Sequence, residues 1–145
     1  MATNEQVVDS PEGWVAEHIQ RYVETAGADG HEWRPGVFTL LLTTRGRKSG
    51  KLRRTALIYG RDGDDYLVVA SQGGDPRHPA WYLNLLADPE VEVQVGADRF
   101  TARARTATAE EKPRMWRTMT ATWPAYDEYQ TKTDREIPVV VLERV

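Results

Sequence analysis

VFTLLLTTRGRKSGKLRRTALIYGRDGDDYLVVA, residues 37–70, is the stretch on which the fold turns. From Val37 the run FTLLLTT is apolar and rich in β-branched residues, which fits a strand. Thr55–Tyr59 is the next apolar segment, and YLVVA at Tyr66–Ala70 is the third. A glycine-containing basic stretch separates the first two. Arg61-Asp62-Gly63-Asp64-Asp65, with its Asp-Gly turn signal, separates the last two. Three consecutive antiparallel strands are therefore expected.

Upstream, Ser10-Pro11-Glu12 has the form of a helix start, an N-cap followed by proline. Trp14, Val15, His18, Ile19 and Tyr22 then recur at helical spacing until Gly27–Gly30, so residues 1–30 are expected to hold an amphipathic helix, and residues 31–145 a barrel within the same single domain. Downstream, the polar loop SQGGDPRHP (71–79) leads into a short helix over Ala80–Ala87 closed by Asp88-Pro89. Val91, Val93 and Val95 alternate with polar residues, and with Phe100–Thr106 they form a hairpin turned at Gly96-Ala97-Asp98. Thr108–Glu111 is a capping box that opens a helix through Met115, Trp116 and Met119 to about Trp123. Pro113 is tolerated there only because it lies near the first turn, and Pro124 ends the helix. Ile137–Leu142 is the last strand. About six short antiparallel strands with peripheral helices predict a mainly β, α+β split barrel, since closure removes exposed edges.

At 145 residues the chain is long enough to bury a core without staples, and it has no cysteine. Thiol redox chemistry and thiolate metal sites are thereby excluded, a reducing compartment fits, and any redox chemistry must come from a bound cofactor. His18, His31 and His78 are scattered, so no metal site is expected. Neither G-x-G-x-x-G nor a Walker loop occurs, which disfavours ordinary NAD or nucleoside triphosphate chemistry, and A-S-Q-G-G is no hydrolase elbow. No apolar run approaches the roughly 20 residues of a membrane span, and the first ten residues lack a secretory pattern, so a cytoplasmic location is expected.

The net charge is −3, yet Arg45–Arg54 (RGRKSGKLRR) holds six cations and no acid. Six cations in ten residues repel one another, a cost most readily offset by a bound anion held through charge-assisted hydrogen bonds. A compact positive spot on an acidic body suits a small anion better than a nucleic acid. Arginines would act as forks, Lys48 as a point charge, and backbone N–H groups near Ser49-Gly50 as a nest. Ser71-Gln72-Gly73-Gly74 at a strand end has two readings: close approach of backbone to a flat ligand, or a tight turn needing positive φ. Trp81, Tyr82 and Asn84 lie on the short helix. Trp123, Tyr126 and Tyr129 share one side if their segment is helical, facing either core or ligand.

Four motifs, L-L-T-T-R-G-R-K-S-G-K-x-R-R from Leu41, A-S-Q-G-G-D-P-R-H-P-A-W-Y-L-N-L from Ala70, D-P-E-V-E-V-Q from Asp88 and P-A-Y-D-E-Y-Q-x-x-T-x-R-x-I-P-V from Pro124, resemble the deazaflavin-dependent nitroreductase family. The resemblance spans Gly36 to the C-terminus. It implies the split β-barrel of the FMN-binding, pyridoxamine-phosphate-oxidase-like proteins, and the reduced 8-hydroxy-5-deazaflavin coenzyme F420 as donor to quinones, nitro compounds and activated alkenes. It further implies Arg47, Lys48, Ser49 and Arg53 at the phosphate and tail, with Thr55 nearby. Ala70, Ser71, Gln72 and Gly73 would lie along the deazaflavin, Trp81 and Asn84 would close its groove, and Tyr126 and Tyr129 would cover the substrate side. In the nitroimidazole-activating branch of the family a tyrosine usually stands at the position of Trp123 and another at that of Ile58, which bears on substrate range, and members often carry lysine where this chain has Gln72, which implies a weaker tail contact here.

The implied reaction is hydride transfer to a stacked small-molecule electron acceptor, the protein supplying orientation and exclusion of water. Ser71 or Tyr126 would stabilise charge on the acceptor oxygen, with the proton from Tyr126 or water. Alternatives are an FMN-binding oxidoreductase of the same fold and a non-catalytic deazaflavin carrier; nucleic-acid binding ranks last. Related barrels are often homodimers. The first helix is expected to pack on the barrel; the alternative, weak contact with a membrane holding lipid quinones, is disfavoured because Glu12, Glu17 and Glu24 oppose only Arg21 and His18.

Overall fold

A computed structural model of the chain describes residues 7–10 and 13–145. The proline and glutamate of the expected helix start, Pro11-Glu12, lie outside the described residues, as do residues 1–6. In chain order the elements are β1 (Val7–Asp9), α1 (Gly13–Glu24), β2 (Glu32–Arg34), β3 (Val37–Arg45), β4 (Leu52–Ile58), β5 (Gly60–Asp62), β6 (Asp65–Val69), a 3-10 turn (Gln72–Gly74), α2 (Ala80–Ala87), β7 (Glu90–Val95), β8 (Asp98–Thr106), α3 (Lys112–Thr122), α4 (Ala125–Thr131) and β9 (Val139–Arg144). The fold is mixed α+β, dominated by its sheet, with helices around the periphery. Among the described residues no helix is long and apolar enough to cross a membrane.

The pairing runs β4-β3-β7-β8-β9-β6-β5. Because β4 and β5 are two parts of one segment joined at Tyr59, that segment pairs with β3 through its first part and with β6 through its second. The Tyr59 N–H donates to Phe38 O at 3.0 Å where the two parts meet. The sheet thus returns to its own starting segment, a six-membered ring with one broken member. This amends the expected three-strand meander: the Asp-Gly turn hairpins β6 onto Gly60–Asp62, and Thr55–Ile58 is left to pair with β3. Two further short strands were not expected. β2 pairs with β3, and β1 runs parallel to β4, the exception to an otherwise antiparallel sheet.

Two element boundaries also moved. β4 starts at Leu52, inside the basic stretch, because the β3–β4 ladder continues to the Arg45–Leu52 pair. β9 starts two residues later than expected: Pro138 has no N–H for a ladder, and its carbonyl accepts from Ala70 N at 3.0 Å instead. The capping box forms as read, with Thr108 N donating to Glu111 Oε1 at 3.0 Å and Glu111 N to Thr108 Oγ1 at 3.2 Å.

Period-2 alternation distributes the core. Leu40 and Leu42 of β3 join Val68, Val91, Val93, Phe100, Ala102, Val140 and Leu142 inside the ring, where α2 contributes Tyr82 and Leu85. Leu67, Val69, Val139 and Val141 face the other way and are covered by Met115 and Met119 of α3 and Tyr126 of α4. Strands buried on both faces read as unbroken apolar runs, which is why YLVVA and VVVL show no alternation. Leu41, on the outer face of β3, packs under Val15, Ile19 and Tyr22 of α1. Tyr22 Oη donates to Thr39 O at 3.0 Å and accepts from Gly96 N at 2.7 Å. The apolar face of α1 is therefore spent on the barrel; Trp14, 61% exposed, stays outside it.

Candidate functional site

A cavity of about 890 Å³ opens beside β4, between the β3–β4 connection at one end and α4 at the other. Its floor is Thr55–Ile58 of β4. Of the residues singled out from the sequence, Arg47, Lys48, Ser49, Arg53, Thr55, Ser71, Gln72, Gly73, Trp81, Asn84, Tyr126 and Tyr129 all line it. Ala70 does not: it is fully buried within the ring, with its backbone committed to Pro138 and Arg135.

At the cationic end, residues 46–51 form a tight loop. Gly50 N donates to Gly46 O at 2.8 Å, Gly46 N to Lys51 O at 2.7 Å, and Gly50 takes φ 72°, a conformation that favours glycine. Arg47, Lys48 and Arg53 are exposed, and none has an acidic partner among the described residues. Arg54, grouped with them in the sequence, also lines the cavity, but its charge is paired: its guanidinium forks onto Asp9 of β1 at 2.6 and 3.2 Å. Asn84 lines the cavity and also braces the basic loop. Its Oδ1 accepts both Arg47 N and Arg47 Nη1 at 3.2 Å, and its Nδ2 donates to Thr44 Oγ1 at 3.2 Å, so α2 fixes the position of the basic loop.

Along the middle runs the loop after β6. Gln72, Gly73 and Gly74 take φ values of 46°, 63° and 86° in succession. A left-handed glutamine is strained by roughly 1 kcal/mol or more, and such strain tends to sit at functional sites. A Cβ on Gly74 would lie 2.7 Å from Tyr129 O, so that glycine permits the loop to touch α4, whereas a Cβ on Gly73 would meet nothing. Both glycines take positive φ, as the tight-turn reading requires. Ser71 is 7% exposed, and its hydroxyl has no hydrogen-bond partner among the described residues.

The loop is held from behind by Arg135, a residue with no local pattern in the sequence to mark it. Its Nη2 donates to Ser71 O (2.8 Å), Nη1 to Ala70 O (3.2 Å) and Nε to Asp75 O (2.9 Å). Nη1 also lies 3.2 Å from His78 Nδ1. Arginine has no acceptor, so that His78 nitrogen accepts and the ring is neutral. Burial and the neighbouring guanidinium both lower the His78 pKa below its ordinary value.

At the far end α4 carries Tyr126 and Tyr129, whereas Trp123 lies in the break between α3 and α4 with φ −138° and ψ 87°; the expected single helix over the three does not form, yet all three line the cavity. Trp123 Nε1 donates to Tyr129 Oη at 3.4 Å. Tyr126 is 5% exposed; its hydroxyl has no partner among the described residues, and burial, with a smaller contribution from Tyr129, pushes its pKa well above the usual phenol range. Two tryptophans from distant elements complete this wall. Trp14 of α1 stacks on Trp33 of β2 with centroids 6.2 Å apart, and Trp33 meets Trp123 at 5.5 Å. The Arg34 guanidinium lies 4.3 Å from the Trp33 ring and 5.6 Å from that of Trp123. No spacing rule in the sequence announced Trp33.

A cavity with cations lacking acidic partners at one end, the Ser71 hydroxyl midway, and the Tyr126 hydroxyl among aromatic rings at the other, both hydroxyls without a protein partner among the described residues, suits an elongated ligand with an anionic tail and a flat head, beside a planar second molecule. The comparisons agree with that shape. The profile of the family described as F420H(2)-dependent quinone reductase matches residues 14–144. An F420H(2)-dependent quinone reductase of Mycobacterium tuberculosis (strain H37Rv) is 45% identical over 130 residues, 88% of this chain and 87% of that protein. Among solved structures, an F420-H2 dependent reductase is 45% identical with a TM-score of 0.67, over 72% of this chain and 93% of that one. A chain described as a domain-swapped dimer is 43% identical with a TM-score of 0.70, over 92% of this chain and 100% of that one. The heme storage protein HutZ of Vibrio cholerae, 15% identical with a TM-score of 0.59, shares the fold alone. With a match running nearly end to end and relatives this similar, the chain belongs to the F420H(2)-dependent quinone reductase family.

Proposed function

We propose that this protein binds reduced coenzyme F420 and uses it to reduce a quinone, with nitro compounds and activated alkenes as further acceptors that fit between the aromatic rings. The observation that carries the reading is the pairing, within one cavity, of Arg47, Lys48 and Arg53 at one end with the unpartnered Tyr126 hydroxyl at the other. The residues present fit the cofactor. The cations and Ser49 would hold its phosphate and glutamate tail, Asn84 keeps Arg47 aimed, and Gly73 leaves open space where a ring would lie. When bound, the reduced deazaflavin supplies a hydride.

The chain's own residues do the rest. Trp123, Tyr126 and Tyr129 orient the acceptor and exclude water, so that the reacting atoms meet in one geometry. Ser71 and Tyr126 offer O–H groups to the acceptor oxygen, where negative charge develops, and a donor held in a dry site is worth more than one in water. Burial raises the Tyr126 pKa, so its O–H is held as a hydrogen-bond donor to that oxygen, and the proton comes from Tyr126 or from water. We read the working form as a homodimer, on the strength of the relative described as a domain-swapped dimer.

The test is a titration of purified protein with reduced and oxidised F420, followed by a screen of menadione, a nitroaromatic and an enone. Loss of F420H2 absorbance with menadione supports the reading. Tight F420 binding with no turnover of any acceptor would make the protein a carrier, and a tightly held yellow FMN would make it an ordinary flavoprotein.

A further inference from the structure

The two walls of the cavity come from parts of the chain more than fifty residues apart, and one side chain joins them. Arg135 directs four donor contacts at the segment between Ala70 and His78, the segment that carries Ser71, Gln72 and Gly73. Its own backbone is held by the other wall: Gln130 of α4 donates from Nε2 to Arg135 O at 2.8 Å and accepts Ile137 N on Oε1 at 2.9 Å. Gln130 follows directly on Tyr129 and is one turn beyond Tyr126. Gly74 closes the same junction from the loop side, where only a missing Cβ allows contact with Tyr129 O.

From this the geometry points to Arg135 as a positioning residue that, with Gln130, sets the spacing between the cofactor wall at Ser71 and the acceptor wall at Tyr126 and Tyr129. The inference rests on the proposed function, since only a transfer between two bound molecules needs the two walls held in register. Arg135 touches neither molecule; it acts through the backbone carbonyls it holds. Transfer between bound partners is sensitive to their separation, and a displacement of about 1 Å costs on the order of a hundredfold in rate. Lysine cannot replace the fork: it keeps the charge but not the planar array that reaches three carbonyls and a ring nitrogen together.

The experiment compares wild type with Arg135→Lys and Gln130→Leu. In the protein without cofactor, hydrogen exchange at the Gly74 and Asp75 amides, which bond to Ser71 O and Gln72 O, should quicken at least about tenfold in R135K. With F420H2 and menadione, kcat should fall about 10- to 100-fold in R135K, and less in Q130L, while the Kd of oxidised F420 changes by less than about fivefold. The isotope effect with F420H2 deuterated at C5 should rise in both variants, a change that a merely structural role would not produce. A folded R135K with wild-type exchange, kcat and isotope effect overturns the inference while leaving the function standing. If R135K does not fold, a Q130L with wild-type kcat and isotope effect overturns it. A wild type that turns over no acceptor with F420H2 refutes the function, and this inference with it.

Discussion

The two ends of the cavity are built in opposite ways. At the cationic end, Arg47, Lys48, Ser49 and Arg53 come from seven consecutive residues and are exposed, and Arg47 is held by one neighbour, Asn84. At the aromatic end, Trp14, Trp33, Trp123, Tyr126 and Tyr129 come from three separate stretches of chain, and Tyr126 is almost fully buried. The first end works by charge, which acts over several ångströms and tolerates loose geometry. The second works by contact, which does not. One end should therefore govern how tightly the cofactor is held, and the other what it reduces and how fast.

The largest effect should come from neutralising the cationic end. Arg47→Ala, Lys48→Ala and Arg53→Ala together should raise the Kd of F420 by at least about a hundredfold, on the basis of about 1.5–3 kcal/mol for each hydrogen bond to a charged group. Fluorescence titration measures it, and an unchanged Kd would remove the anion-binding role altogether. Tyr126→Phe tests the other end: kcat should drop about 10- to 100-fold with little change in F420 affinity. A variant as active as wild type at every pH would exclude Tyr126 as proton donor. Trp33→Ala should act more mildly, raising the acceptor KM about 3- to 10-fold as one stacking partner is lost. An F420 Kd that moved as far as the acceptor KM would erase the division between the ends.

The smallest effect is on stability and concerns the histidines flanking the two walls. His18, lining the cavity from α1, and His78, behind Arg135, both have pKa values lowered from 6.5, each chiefly by burial and next by a nearby arginine. Asp29 pulls His18 the other way, while the Tyr82 ring packs on His78. A base whose folded pKa is depressed stabilises the fold above its unfolded pKa, and that contribution is lost as pH falls through the folded value. The melting temperature should thus decline below about pH 6.5, and less steeply in a His18→Asn, His78→Asn double variant. Thermal melts across that range would show equal slopes if the histidines were irrelevant. Glu111, held near pKa 2 by Arg105 and the Thr108 amide, loses its contribution only at much lower pH.

Much of the fold was legible because local rules sufficed for it. The β3 run, the Asp-Gly turn, the Thr108–Glu111 capping box and the α2 boundaries each depend on residues within a few positions of one another. What escaped was decided at a distance. β5 split from β4 because β6 needed a partner, and the Arg54 charge was paired because β1 brought Asp9 to it. Trp33 became part of a wall only when β2 folded against the α3–α4 corner.

Charge sign, glycine placement, apolar periodicity and family membership were properties of the linear chain, since they depend on composition and short-range order. Which cations stayed without an acidic partner, which hydroxyls face the cavity without a protein partner, and that Arg135 would bridge the two walls were settled by tertiary structure alone. These depend on distances between residues remote in sequence, and burial and hydrogen-bond geometry have no value until the chain has closed around them.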